Sequence, residues 1–141
     1  MKTSYFSKNH AKFLIKYHII LVVKYRKSLL DIWLCDILRC YFNQTFLDFS
    51  IDYVGFDNNH IHILINSAPK LSPLQIVRKI KQETTILVWK IIPNILKLHF
   101  WKEKTFWSDG YFISTCEEMS LETIENYIQN QGRNSSPKLK T

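Results

Sequence analysis

Hydrophobic positions along this chain alternate between a strand-like and a helix-like period. Residues 15–25 are dense in Ile, Val and Tyr and predict a central strand. Leu29, Leu30, Trp33, Leu34, Ile37, Leu38, Tyr41 and Phe42 then recur at helical spacing and predict a long amphipathic helix. Residues 49–56 read as a second strand. Asp57-Asn58-Asn59 is turn chemistry, and residues 60–66 return as its hairpin partner. Ser72-Pro73-Leu74-Gln75 is a helix start, with Ser72 as cap, Pro73 at the first helical position and Gln75 closing the capping box. That helix should run to about residue 90 or 91, before Pro93, with an inward stripe of Leu74, Val77, Ile80, Thr84, Leu87 and Val88. Asp109-Gly110 marks a tight turn before a last strand over 111–116. Ser120 caps a short final helix, 121–131, which Gly132 stops. Residues 1–9 and 132–141 read as loose ends.

The order β-α-β-β-α-β followed by a helix predicts an α+β fold. The layout is ferredoxin-like (split βαβ): an antiparallel sheet with helices on one face, plus a C-terminal helix. In this order the first and third strands are central, so the strand over 60–66 lies mid-sheet, a rigid mount for a site. The second face of the sheet is left for a cover or a use.

His60-Ile61-His62 stands in that central strand. Side chains alternate across a strand, so both imidazoles point the same way, about 7 Å apart. Two neutral imidazoles on one rigid strand are two metal ligands in waiting, although a strand histidine can also be a plain hydrogen-bonded core residue. The final helix carries Leu121, Ile124 and Ile128 as an apolar stripe, with Tyr127 and Gln131 four apart beside it. At about 16 Å it is too short to persist alone. Docked on the open sheet face, it would bring a phenol and an amide to the histidines.

At 141 residues, 46% of them hydrophobic, the chain has single-domain length and material for a core. Its net charge of +7 favours a polyanionic partner. Candidate nucleic-acid contacts are Lys24, Arg26 and Lys27 after the first strand, and Arg78, Lys79 and Lys81 off the helix stripe. Trp101, Phe106 and Trp107 are candidates for stacking on unpaired bases. No apolar run is long enough to span a bilayer, and the polar start lacks the apolar stretch of a signal peptide. Cys35, Cys40 and Cys116 lack CxxC spacing and read as reduced core residues of a cytosolic protein.

The pairing of His60-Ile61-His62 with Tyr127-Ile128-Gln129-Asn130-Gln131 resembles the single-tyrosine HUH transposases of the insertion-sequence 200/605 type, U being a hydrophobic residue. Tyr17-His18-Ile19-Ile20 leading to Lys24-Tyr25-Arg26, and the run from Phe106 to Thr115, are similar too, so the resemblance covers about residues 12–132. It implies a metal-dependent endonuclease and strand transferase that excises and inserts an insertion sequence as single-stranded DNA. His60, His62 and Gln131 would hold a divalent ion, Mg2+ or Mn2+, which leaves open positions for phosphate oxygens. Tyr127 would be the nucleophile, forming a covalent phosphotyrosine that conserves the bond energy for rejoining. The resemblance further implies a homodimer whose sheets join, DNA hairpins at the element ends as partner, and the cytoplasm of a bacterial or archaeal cell. One departure is Asn59, where the family usually has an aspartate before the first histidine; this bears on the orientation of that ligand.

Three other readings compete. A histidine-triad hydrolase needs a third alternate histidine, and that position is Leu64. A non-enzymatic RNA- or DNA-binding ferredoxin-like module would expose an aromatic pair on the central strands. A replication initiator, relaxase or domesticated nuclease would keep the chemistry and change the biology. Small sheets also leave edges that invite pairing, which favours a dimer.

Overall fold

The structure is a computed structural model that describes residues 6–8, 11–13, 15–115, 126 and 128–130. Two short strands, β1 (Phe6–Lys8) and β2 (Ala11–Phe13), pair antiparallel with each other. The main sheet is built from β3 (Ile15–Val22), β4 (Phe49–Phe56), β5 (His60–Ser67) and β6 (Phe112–Ser114). Its order is β4-β5-β3-β6, antiparallel throughout, so the first and third main strands are central as the element order predicts. Helix α1 (Ile32–Phe42) connects β3 to β4. Helices α2 (Pro73–Ile91) and α3 (Pro93–His99) lie between β5 and β6.

Local chemistry explains the helix starts. Asp31 accepts a hydrogen bond from Leu34 N and caps α1. Ser72 Oγ accepts from Gln75 N, and Gln75 Oε1 accepts from Ser72 N, which completes the predicted capping box of α2. Pro93 ends α2, and it also stands at the first position of α3, a helix the sequence reading did not foresee.

Ile19, Leu21 and Val23 of the β3 segment join Ile61, Ile63 and Ile65 of β5 in one apolar face, none of them more than 0% exposed. Leu34 and Leu38 of α1 and Ile76, Val77 and Ile80 of α2 belong to the same core. Each such side chain contributes about 1.5–3 kcal/mol on burial. The segment after α3 is tied to α2 by buried polar bonds. Trp89 Nε1 donates to Thr105 O (2.8 Å), and Trp107 Nε1 donates to Thr84 Oγ1 (2.9 Å).

Several expectations are corrected. Residues 6–8 pair with 11–13 instead of lying loose. The first main strand stops at Val22, and a 3-10 turn over Lys24–Arg26 replaces its predicted end. The last strand shrinks to three residues. Leu74 is 38% exposed, and Ile76 takes the inward position. Cys40 is exposed, while Cys35 is in the core; Cys116 lies outside the described residues. Among the described residues no helix is long and apolar enough to cross a membrane.

Candidate functional site

Strand register assigns the second face of the sheet. His60 lies opposite Val22 and His62 opposite Ile20, while His18 lies opposite Leu64 and Ser114. Directly opposed residues point to the same side, so His18, Ile20, Val22, His60, His62 and Phe112 share the face turned away from α1 and α2. The predicted orientation of the histidine pair is therefore the observed one.

Each candidate ligand is held by a neighbour. His60 Nδ1 donates to Asn59 Oδ1 (2.9 Å), which leaves the Nε2 lone pair for a ligand role. The amide of Asn59 thus does the orienting that an aspartate carboxylate would do. His62 Nε2 lies 3.0 Å from His18 Nδ1, with ring centroids 5.2 Å apart. Two tautomers satisfy that contact. Only the one in which His62 Nε2 donates to His18 leaves a lone pair on His62, at Nδ1. His18 is 9% exposed, and its Nε2 is buried without a hydrogen-bond partner among the described residues. The sequence reading gave His18 no role, because nothing local relates it to a residue 44 positions away.

Burial lowers the pKa of both His60 and His62 below the ordinary 6.5. At His60 the Asp57 carboxylate works against this shift, and at His62 the neighbouring imidazoles reinforce it. Both rings are therefore neutral near pH 7, the form that coordinates a cation, so the donor chemistry fits a divalent metal ion. Among the described residues no three His, Cys, Asp or Glu side chains converge on one point, so a further donor has to be of another kind. Gln131 is such a donor by residue type. Gln131 and Tyr127 both lie outside the described residues.

What is described of the C-terminal segment bears on them. Residues 126 and 128–130 are helical. Ile128 is 8% exposed and buries itself against Ile20 and Val22, with Phe112 packed on the cluster. All three belong to the histidine face. The predicted stripe residue next to Tyr127 in sequence thus docks on the sheet surface that carries the histidines.

The basic candidates divide by partner. Lys24 is buried and pairs with Glu103 (3.4 Å) and Asp109 (3.8 Å). Lys81 Nζ donates to Ser108 O and Gly110 O, both at 2.7 Å, and burial pushes its pKa down to about 8. Lys79 pairs with Glu83 across one helical turn (2.7 Å). Arg78 is exposed, while Arg26 and Lys27 are half-buried. Arg78, Lys79 and Lys81 belong to α2, the layer opposite the histidines. Tyr25 and Arg26 hold positive φ (61° and 53°), which re-aims the chain after the strand. Of the aromatic candidates, Trp101 is 74% exposed, whereas Phe106 and Trp107 are core residues and not stacking platforms, with the Trp107 indole committed to Thr84.

The sequence matches the family "Transposase IS200 like" over residues 11–131. The ISDra2 transposase TnpA of Deinococcus radiodurans is similar, at 24% identity over 119 residues, covering 83% of this chain and 84% of that protein. A crystal structure of a candidate transposase from Deinococcus radiodurans R1 has a like fold. The TM-score is 0.70 at 22% identity, over 93% of this chain and 98% of the other. A REP-associated tyrosine transposase bound to a REP hairpin matches with a TM-score of 0.49 at 13% identity, over 92% of this chain and 72% of that one.

Proposed function

The chain belongs to the IS200-like transposase family, and we propose that it nicks and rejoins single-stranded DNA with Tyr127 as the nucleophile. The observation that carries this reading is a pair of neutral, oriented imidazoles, His60 and His62, on the sheet face against which Ile128 packs. His60, His62 and Gln131 would hold a divalent ion, Mg2+ or Mn2+, which when bound supplies Lewis-acid neutralisation of the scissile phosphate's non-bridging oxygens.

The Tyr127 phenol loses its proton as its oxygen attacks phosphorus. The new P–O bond to tyrosine forms as the bond to a sugar oxygen breaks, and that sugar leaves as a hydroxyl. A second DNA end reverses the exchange with no external energy source. Asn59 and His18 keep the two imidazoles in their ligand orientations. Arg26 and Lys27, which follow β3, are the basic residues proposed to meet the DNA backbone. DNA with hairpins at the element ends is the proposed substrate. A homodimer is the proposed assembly.

Labelled single-stranded DNA carrying hairpins, incubated with the protein with and without Mn2+, should give a metal-dependent covalent adduct on a denaturing gel. Tyr127→Phe should abolish that adduct while DNA binding persists. Hydrolysed DNA with no protein attached would defeat the covalent reading, because an attacking water would then replace the phenol.

A further inference from the structure

On strict alternation Tyr53 would share the core face with Phe49 and Ile51. The structure breaks that alternation with a β-bulge at Asp52. Ile51 lies opposite Ile65, yet Tyr53 lies opposite Leu64, so one extra residue stands on β4. A one-residue slip turns every later side chain over. Val54 and Phe56 thereby point into the core, and Tyr53 is delivered to the histidine face. Bulges commonly re-aim a side chain beside a site.

Two further features support this placement. The bulged residue is tethered, since the Asp52 carboxylate pairs with the buried ammonium of Lys16 on β3. The ring also has a seat, because Gly55 lies directly opposite His62. A Cβ at position 55 would come within 2.9 Å of Tyr53 Oη and 3.1 Å of a ring carbon. Gly55 has no positive φ, so what its missing side chain provides here is room for the ring. Seated so, the Tyr53 ring stands edge-on to His62 with centroids 6.4 Å apart, and Tyr53 is 57% exposed.

We propose that Tyr53 is a nucleobase-stacking subsite of the histidine face, taking one unpaired base of the single strand next to the phosphate presented to His60 and His62. This inference rests on the nuclease reading and adds a residue to it. A flat aromatic surface suits any base, because every base has a π face, so the subsite orients the strand without reading its sequence. The phenolic hydroxyl is not needed for stacking.

The test uses the full chain and single-stranded oligonucleotides with 2-aminopurine placed at successive positions. In the wild type, 2-aminopurine fluorescence should be quenched at one position near the cleavage site. Tyr53→Ala should abolish that quenching and weaken binding roughly 5- to 150-fold, while Tyr53→Phe keeps both. Gly55→Ala, which displaces the ring without removing it, should reproduce the loss. Thermal melts of each variant separate this from unfolding; the exposure of Tyr53 predicts little change. Unaltered quenching and affinity in folded Tyr53→Ala overturns the subsite and leaves the nuclease reading intact. Loss of the covalent adduct in Tyr53→Phe overturns it too, since the hydroxyl would then be a reacting group. Absence of any single-strand binding by the wild type would instead defeat the nuclease reading.

Discussion

The two faces of the central strand pair are made by the same backbone and obey different rules. On the helix side, Ile19, Leu21, Ile61, Ile63 and Ile65 are sealed and aliphatic. On the other side, His18, His60 and His62 stand among Ile20, Val22 and Leu64, with Ile128 and Phe112 over part of the surface. Strand alternation lets one segment serve as core and as site, since neighbouring residues never compete for the same space. The histidine face stays dry enough to hold its imidazoles neutral and open enough to admit a ligand. The helix face gives the rigidity that keeps two donors in fixed relation.

Adjacent residues provide the sharpest way to break this contrast. Ile63→Ala should cost about 2–5 kcal/mol in urea unfolding, because it opens a cavity in a sealed core; the folded fraction should still bind Mn2+. His62→Ala should do the reverse. It should reduce DNA cleavage roughly a thousandfold, in line with the several kcal/mol a Lewis acid supplies, and weaken Mn2+ binding read by electron paramagnetic resonance, with little change in the urea midpoint. If the two variants lose stability equally, the faces are not divided in this way.

A smaller effect tests whether His18 belongs to the site or to the core. His18→Leu removes the hydrogen bond to His62 along with a buried nitrogen that has no partner among the described residues. Mn2+ affinity should fall about 10- to 100-fold, the usual consequence of losing a ligand's orienting partner, while the melting temperature holds or rises. A drop in melting temperature with unchanged affinity would make His18 a packing residue.

The smallest effect is on pH dependence. Burial holds His60 and His62 below the free value of 6.5, so the unfolded chain takes up protons first as the pH falls. The stability tied to the neutral rings is complete above about pH 6.5 and is lost as the pH drops through their lowered pKa values. Metal-free melting temperatures should fall as the pH drops below about 6.5, and a His60→Gln, His62→Gln double variant should flatten that fall. A fall of the same size in both proteins would assign the acid sensitivity elsewhere.

Much of the fold was legible locally. The capping box at Ser72 and Gln75, the strand limits of 49–56 and the facing of His60 and His62 depend on bonds and periods spanning a few residues. Helix α3 was missed because Pro93 was read only as a stop, although the same residue suits a first helical position. Tyr53 was hidden by assuming unbroken alternation, yet Gly55 inside a strand pattern is a known sign of a bulge. Lys24, Lys81, Phe106 and Trp107 looked available for DNA, and the structure gives them partners within the protein.

By itself the sequence determined the order of elements, the face shared by the two histidines, and the family to which the motifs point. Only the tertiary structure decided that His18 meets His62 and that Tyr53 crosses to the site. The physical reason is register. Which residues stand opposite one another is settled by the pairing of whole strands, β3 with β5 across some forty residues and β4 with β5 through one bulge in their hairpin, and the hydrophobic pattern of one strand alone does not contain that information.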